Sequence, residues 1–532
     1  MPTLITDNIA ELARVTPRAP AIIQIRERAV ATWSWEKLQR EAERVAALLL
    51  RLNVQPGEPV AYQLPNRGEF AAVTLAIVKV GAICLPLKPL DSDRDLTHKL
   101  SKARAKVIFV ADEFAGRRYA LDLVAQESIL PDLLHVIVVR TSEVKTRLPA
   151  SRRLNVMRLN SALEATTMDQ AVLLARRPRS TDLALLLFTS GTSGPPKGVL
   201  YRHKTLTRAA QLYIAQLQIR SDDRVFVPST LAHQIGFVYG MWVAFAMGIP
   251  QMLQPVWDPE RAVRALRELG GTVAQAPPSF LINLVNVVKR GVRAPDSLRV
   301  FVPTGAAIPP GLAREAEEIL RTRICGAFGT TESFLSTLSK PTASKTSSDS
   351  DGEPLPSIRL RVVDDTGTVL GPGHEGHLQV HSPVSFACYL DDPELTAQAF
   401  TGDGWYRTND LAMVDQYGFV HLRGTSSDAI RRSGKLLTVL QVEQLLNQHR
   451  AIREIAIVGV PDRQTGERAC AFVVPRSDDA LDLKSVQAFL DQQRVTRQYW
   501  PERLELVSSL PKTASGKIKR YLLREQFRNM PV

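Results

Sequence analysis

Leu183-Ala184-Leu185-Leu186-Leu187-Phe188-Thr189-Ser190-Gly191-Thr192-Ser193-Gly194-Pro195-Pro196-Lys197-Gly198-Val199 joins an apolar run to a loop of hydroxyls and glycines that ends in a lysine. Six apolar residues between Thr181-Asp182 and a Gly-rich turn predict a short buried strand. Glycines let successive backbone N–H groups converge, while the hydroxyls and Lys197 add donors and charge, so the loop suits a polyphosphate. It is not a Walker A loop, which needs Gly before its lysine and Ser or Thr after it; here Pro196 and Gly198 stand there. By composition alone the run also suits an ordinary surface turn.

Outward from this strand, helical periods alternate with short apolar runs. Trp33 to Leu52 and Ala71 to Val80 read as helices. The runs at Pro59–Tyr62, Ala82–Leu85, Val107–Val110, Val136–Val139, Val225–Val227, Val273–Ala276 and Val300–Val302 read as strands. That alternation predicts an α/β fold with parallel, doubly wound sheets. From Ile358 to His381, Gly and Pro turns break the pattern into short strands, which predicts an antiparallel or barrel-like subdomain. Lys340 to Gly352, rich in Ser, Thr and Asp, reads as an exposed loop. The turn-rich Gly424-Thr425-Ser426-Ser427-Asp428 marks the expected boundary: an N-terminal domain over 1–424, a hinge over 425–428 and a small α+β domain over 429–532. About 100 residues are enough for a separate core.

At 532 residues, with 45% apolar and 23% charged side chains, the chain has an ordinary globular composition. No apolar stretch is long enough to span a bilayer and no signal segment is evident, so the expected location is cytoplasmic. Cys84, Cys325, Cys388 and Cys470 are scattered and suggest neither disulfides nor a zinc site. A net charge of +13 favours anionic partners. No zinc-finger or RNA-binding signature accompanies it, so no nucleic-acid partner is expected.

Five more segments follow the phosphate loop in order: Pro228–Gly240 with His233-Gln234; Thr304-Gly305-Ala306-Ala307; Gly326-Ala327-Phe328-Gly329-Thr330-Thr331-Glu332; Gly404-Trp405-Tyr406-Arg407-Thr408-Asn409-Asp410; and Pro511-Lys512-Thr513-Ala514-Ser515-Gly516-Lys517-Ile518. With the loop, they resemble the adenylate-forming superfamily of acyl- and aryl-CoA synthetases, adenylation domains and luciferases. The wording around Leu231–Phe237 is most similar to the branch of cyclohexanecarboxylate and medium-chain acyl-CoA ligases.

The resemblance implies that ATP, Mg²⁺ and CoA are used, and that a carboxylic acid becomes acyl-AMP and then acyl-CoA. The loop over Thr189, Ser190, Gly191, Thr192, Ser193, Gly194 and Lys197 would hold the β- and γ-phosphates. Thr331 would bind the α-phosphate, and Glu332 would hold Mg²⁺, a hard ion suited to a carboxylate. Gly305, Ala306, Ala307, Phe328, Gly329 and Thr330 would surround adenine and phosphate, with Phe328 where the family usually has Tyr; Asp410 would accept the ribose hydroxyls. Lys517, on a mobile C-terminal domain, would be the catalytic cation. His233, Gly236, Phe237, Pro278, Phe280, Thr304 and Ala327 would line the acid pocket. Amino-acid-activating relatives carry an Asp near His233. Pro228 to Trp242 has no acidic side chain, so a neutral-tailed aliphatic, alicyclic or aromatic acid is expected.

Where the family reads Gly-Arg and a charged hinge residue, this chain has Thr425 and Ser427, the latter beside Asp428 in the expected hinge. The family's Gly-Gly-Glu-Asn becomes Ser433-Gly434-Lys435-Leu436, Cys388 replaces a common Gly, and His377 a common Glu. These departures leave two alternatives open: a ligase passing the acyl group to an amine or a separate carrier protein, and a catalytically weak ligand-binding relative. Oligomeric state is not legible.

Overall fold

The computed structural model describes residues 4–27, 29–141, 146–164, 170–189, 196–306, 308–309, 311–342, 350–432, 435–462, 466–476, 481–512 and 518–528. The expected apolar runs form two large sheets. In one, eight strands lie in the order 388–389, 198–202, 183–188, 83–86, 59–63, 107–111, 135–139, 155–158. Its strands from 83–86 through 155–158 are parallel, and 183–188 joins them in parallel with Cys84 opposite Leu185. Strand 198–202 runs antiparallel to 183–188, with Gly198 opposite Phe188 on either side of the expected phosphate loop.

The second sheet has seven strands, parallel except where 30–34 pairs with 20–25. Strands buried on both faces need continuous apolar sequence, and Val107-Ile108-Phe109-Val110-Ala111 is buried throughout. The helix expected from Trp33 begins at Trp35, because Trp33 and Ser34 close the preceding strand. Ser34 then caps it, its hydroxyl accepting the Lys37 N–H at 3.2 Å.

Residues 359–425 form the antiparallel unit, a four-stranded sheet in the order 359–363, 375–381, 406–414, 420–425. Ser350 and Gly352, expected in an exposed loop, are buried instead. Gly352 sits at φ +92°, where an added Cβ would lie 2.8 Å from the Gly326 carbonyl oxygen and the Leu338 and Ser339 nitrogens. A five-stranded sheet spans residues 430–506, and Ile430, Leu446, Ile457, Val473 and Leu490 pack into a core of its own. Among the described residues no helix is long and apolar enough to cross a membrane.

Candidate active site

A cavity of about 1460 Å³ opens where the ends of both large sheets meet the antiparallel unit and the residues after 424. Thr189, Lys197, His233, Phe280, Gly305, Ala306, Ala327, Phe328, Gly329, Thr330, Thr331, Glu332, Asp410, Ser427 and Asp428 all line it. Four expected pocket residues stand behind the wall. Phe237 is fully buried and stacked on Trp242 at 5.7 Å. Gly236 is a close-approach position, where a Cβ would lie 2.3 Å from the Thr230 carbonyl oxygen. Pro278 is buried at the first turn of a helix, while its neighbour Pro277 faces the cavity. Thr304 fastens the wall by donating to the Ala327 carbonyl at 3.2 Å. Ser190, Gly191, Thr192, Ser193, Gly194, Ala307, Lys517 and the Ser433-Gly434 departure lie outside the described residues.

The residues that flank the expected phosphate loop are joined by a reciprocal pair. Thr189 N–H donates to the Lys197 carbonyl and Lys197 N–H donates to Thr189 Oγ1, each at 3.0 Å. Tyr389, unassigned by the sequence reading, reaches this end because strand 388–389 pairs with Val199 and Leu200. Its ring lies 5.5 Å from Lys197 Nζ, and its hydroxyl donates to Glu332 Oε1 at 2.8 Å. Burial, then the Glu332 charge, push the Tyr389 phenol well up, so it stays protonated and can only serve Glu332 as a donor. Glu332 is partly open to the cavity, and its position is fixed further by Phe386 N–H, which donates to its carbonyl at 2.7 Å. No cluster of three acidic, His or Cys ligands occurs among the described residues. A Mg²⁺ ion at Glu332 therefore fits only if phosphate oxygens and water supply the rest of its shell.

Phe328 packs one side against Val362, Leu378, Ala412 and Val420 and lines the cavity with the other. Gly305, at φ +86°, lets the chain turn past it beside Ile235. Asp410 stands on strand 406–414, directly opposite Thr425.

His233 Nδ1 accepts the Ile235 N–H at 3.3 Å, which leaves the proton of the neutral ring on Nε2. Burial, helped by the nearby Lys88 charge, pushes this histidine down to about 3. Trp257, Phe280, Val256 and Ile308 line the same cavity, with Trp257 and Phe280 in contact at 4.6 Å between ring centroids. The carboxylates of the lining, Glu332, Asp351, Asp410, Asp428 and Glu443, come from other segments, so the stretch around His233 contributes no negative charge.

The junction is clasped by the last described helix, Arg520–Arg528. Arg524 donates to the Ser427 carbonyl at 2.7 Å, and Arg520 pairs with Glu443 at 2.6 Å and Asp428 at 3.6 Å. Thr425 and Ser427 satisfy each other, hydroxyl to hydroxyl, at 3.2 Å. Ile518 and Arg520 line the cavity, which brings the segment adjoining Lys517 to its wall.

Residues 9–390 match the family model for the AMP-binding enzyme, and residues 441–517 that for the AMP-binding enzyme C-terminal domain. The chain is 30% identical over 523 residues to a medium-chain fatty-acid–CoA ligase of Escherichia coli (strain K12), covering 97% of this chain and 90% of that one. It is also 30% identical over 517 residues to the 3-[(3aS,4S,7aS)-7a-methyl-1,5-dioxo-octahydro-1H-inden-4-yl]propanoyl:CoA ligase of Mycobacterium tuberculosis, covering 97% of each. Its fold is similar to that of ATP-bound MatB from Rhodopseudomonas palustris, with a TM-score of 0.85 at 24% identity over 99% of both chains. The chain belongs to the family of AMP-binding enzymes, within the adenylate-forming superfamily.

Proposed function

We propose that this protein activates a neutral-tailed carboxylic acid with ATP and passes the acyl group to CoA. The observation that carries the reading is one continuous cavity lined by the base of the phosphate loop, Glu332 with its tyrosine partner, Phe328, Asp410 and an apolar end at Trp257 and Phe280. Its size suits a nucleotide and an acid together. In the first step a carboxylate oxygen attacks the α-phosphorus and the bond to the β-phosphate breaks, so pyrophosphate leaves with the electron pair. Two anions must approach each other, and fixed donors with positive charge lower that barrier. Thr189 and Lys197 would hold the leaving phosphates, Thr331 the α-phosphate, Asp410 the ribose, and Lys517 the developing charge between the two reactants. Glu332 would hold Mg²⁺, which neutralises phosphate charge when bound.

In the second step the thiol sulfur attacks the acyl carbon, AMP leaves and the thiol proton passes to solvent. The domain after residue 428 would reorient about Ser427 and Asp428 between the steps. The neutral His233 and the absence of acidic groups around it favour an uncharged acid tail over an amino acid, because an ammonium there would be buried without a counter-charge. Medium-chain, alicyclic and aromatic acids fit the contacts offered by Trp257, Phe280, Val256 and Ile308.

One observation favours a second reading: the hinge positions Thr425 and Ser427 bond to each other and present no charge. In that reading the adenylate passes to an amine or a separate carrier. Incubation with ATP, Mg²⁺ and acids from acetate through octanoate, cyclohexanecarboxylate and benzoate, with and without CoA, tests both. Acyl-CoA detected by mass supports the proposal. Acyl-AMP that accumulates with CoA present supports the second reading, and neither product overturns both.

A further inference from the structure

Lys88 is a charged side chain in the cavity wall to which the family resemblance assigns no task. It follows strand 83–86, the immediate neighbour of strand 183–188 in the eight-stranded sheet. Cys84 lies opposite Leu185, and Lys88 and Thr189, each four positions further along its chain, stand just past the ends of the two paired strands. Adjacent strands run about 4.8 Å apart, so the two chains leave the sheet side by side. Both side chains indeed border the same cavity.

The loop that presents Lys88 is fixed at several points. Its carbonyl accepts from Gln63 Nε2 at 2.9 Å, and its N–H donates to Asp91 Oδ2 at 3.2 Å. Asp91 acts on the Lys88 charge, but its Oδ2 is bound by Lys99 Nζ at 2.5 Å, so that carboxylate is shared between two lysines. Among the described residues, Lys88 Nζ has neither a carboxylate within ion-pair distance nor a hydrogen-bond partner. Burial pulls the lysine below its usual range, against the pull of Asp91, so the charge is held at a cost that an anionic ligand would offset. Such a group, half-buried and in the same cavity wall as Thr189 and Lys197, selects an anion rather than an apolar tail.

We propose that Lys88 is a phosphate-binding residue, a second cation beside Lys197 that pairs with a phosphate group of the bound nucleotide or of CoA. The proposal rests on the functional reading above only for the choice of those two ligands. The test is equilibrium titration of the full chain with ATP·Mg²⁺ and, separately, with CoA, in the absence of any acid. Wild type is compared with Lys88→Met, Lys88→Gln and Lys88→Arg.

Loss of one charge-assisted contact in a partly dry wall weakens the ligand concerned by about tenfold or more in Lys88→Met and Lys88→Gln. Lys88→Arg keeps the affinity, and added KCl narrows the gap between wild type and the neutral variants. A loss confined to ATP assigns the contact to the nucleotide phosphates; a loss confined to CoA assigns it to the CoA phosphates. Unchanged affinities for both ligands in folded Lys88→Gln overturn the proposal, as does a wild type that binds neither. Because no turnover is involved, these outcomes are independent of whether the protein makes acyl-AMP.

Discussion

Tyr389 donates its phenolic hydrogen to Glu332 Oε1 at 2.8 Å across 57 positions of sequence. The bond ties a strand at the edge of the eight-stranded sheet to the turn that follows Phe328, and it leaves the other carboxylate oxygen for a ligand. A hydrogen bond to a charged acceptor contributes about 1.5–3 kcal/mol. Tyr389→Phe keeps the ring and removes the bond. Pyrophosphate exchange in this variant is expected to fall by about tenfold or more, with a higher Mg²⁺ requirement. An unchanged Mg²⁺ titration would remove Tyr389 from the account.

The Ser427 carbonyl, in the proposed hinge, offers a separate test. Arg524 holds Ser427 O at 2.7 Å from a helix that starts three residues after Lys517. Arg524 is not itself a lining residue, so Arg524→Ala frees the junction and leaves every lining side chain in place. Acyl-AMP formation is expected to stay within about twofold, whereas transfer from preformed acyl-AMP to CoA shifts several-fold, because in the proposed mechanism only the second step needs reorientation. Rapid-quench measurement of the two half-reactions checks this, and equal effects on both would contradict a hinge role.

Lys517→Ala should divide the half-reactions the other way. Adenylation is expected to drop by about a thousandfold or more, since the cation proposed to sit between carboxylate and α-phosphate is lost. Thioester formation from supplied acyl-AMP should fall far less. Equal losses in both steps would contradict the role given to Lys517.

His203 predicts acid lability. Burial pushes it down to about 4, against a smaller upward pull from Asp182, and both ring nitrogens lack partners among the described residues. The unfolded chain protonates this histidine near 6.5 and the folded chain does not, so stability falls as pH drops from about 6.5 towards 4. At pH 5 the difference amounts to about 2 kcal/mol. Replacing the ring by an apolar side chain in His203→Leu should narrow the melting-temperature gap between pH 7 and pH 5; an unaltered gap would contradict the assignment.

How far the fold was legible depended on whether a residue's partner lies nearby in sequence. Val107–Ala111 and Leu183–Phe188 announce themselves, since strands covered on both faces have no polar alternation to hide. The phosphate loop, Phe328 and Asp410 stand in contiguous motifs, and the structure brings those that it describes into one cavity. Gly236 and Phe237 stand behind the cavity wall rather than in it, because Ile235–Trp242 is apolar all round, which leaves no periodic signal for the face that meets the cavity. Lys88 and Tyr389 carried no signal of their own. Each gains its position from strand pairing, with Leu185 alongside Cys84 for the former and with Val199 for the latter. The clasp of Arg520 on Glu443 spans 77 positions and is likewise invisible to local pattern.

The central claim is that this cavity joins a carboxylate to the α-phosphate of ATP, and acid-dependent exchange of labelled pyrophosphate into ATP, without CoA, tests it most directly. The account predicts exchange with at least one neutral-tailed acid and none without acid or with Lys517→Ala. Exchange that ignores the acid, or no exchange with any acid of the panel, would contradict it.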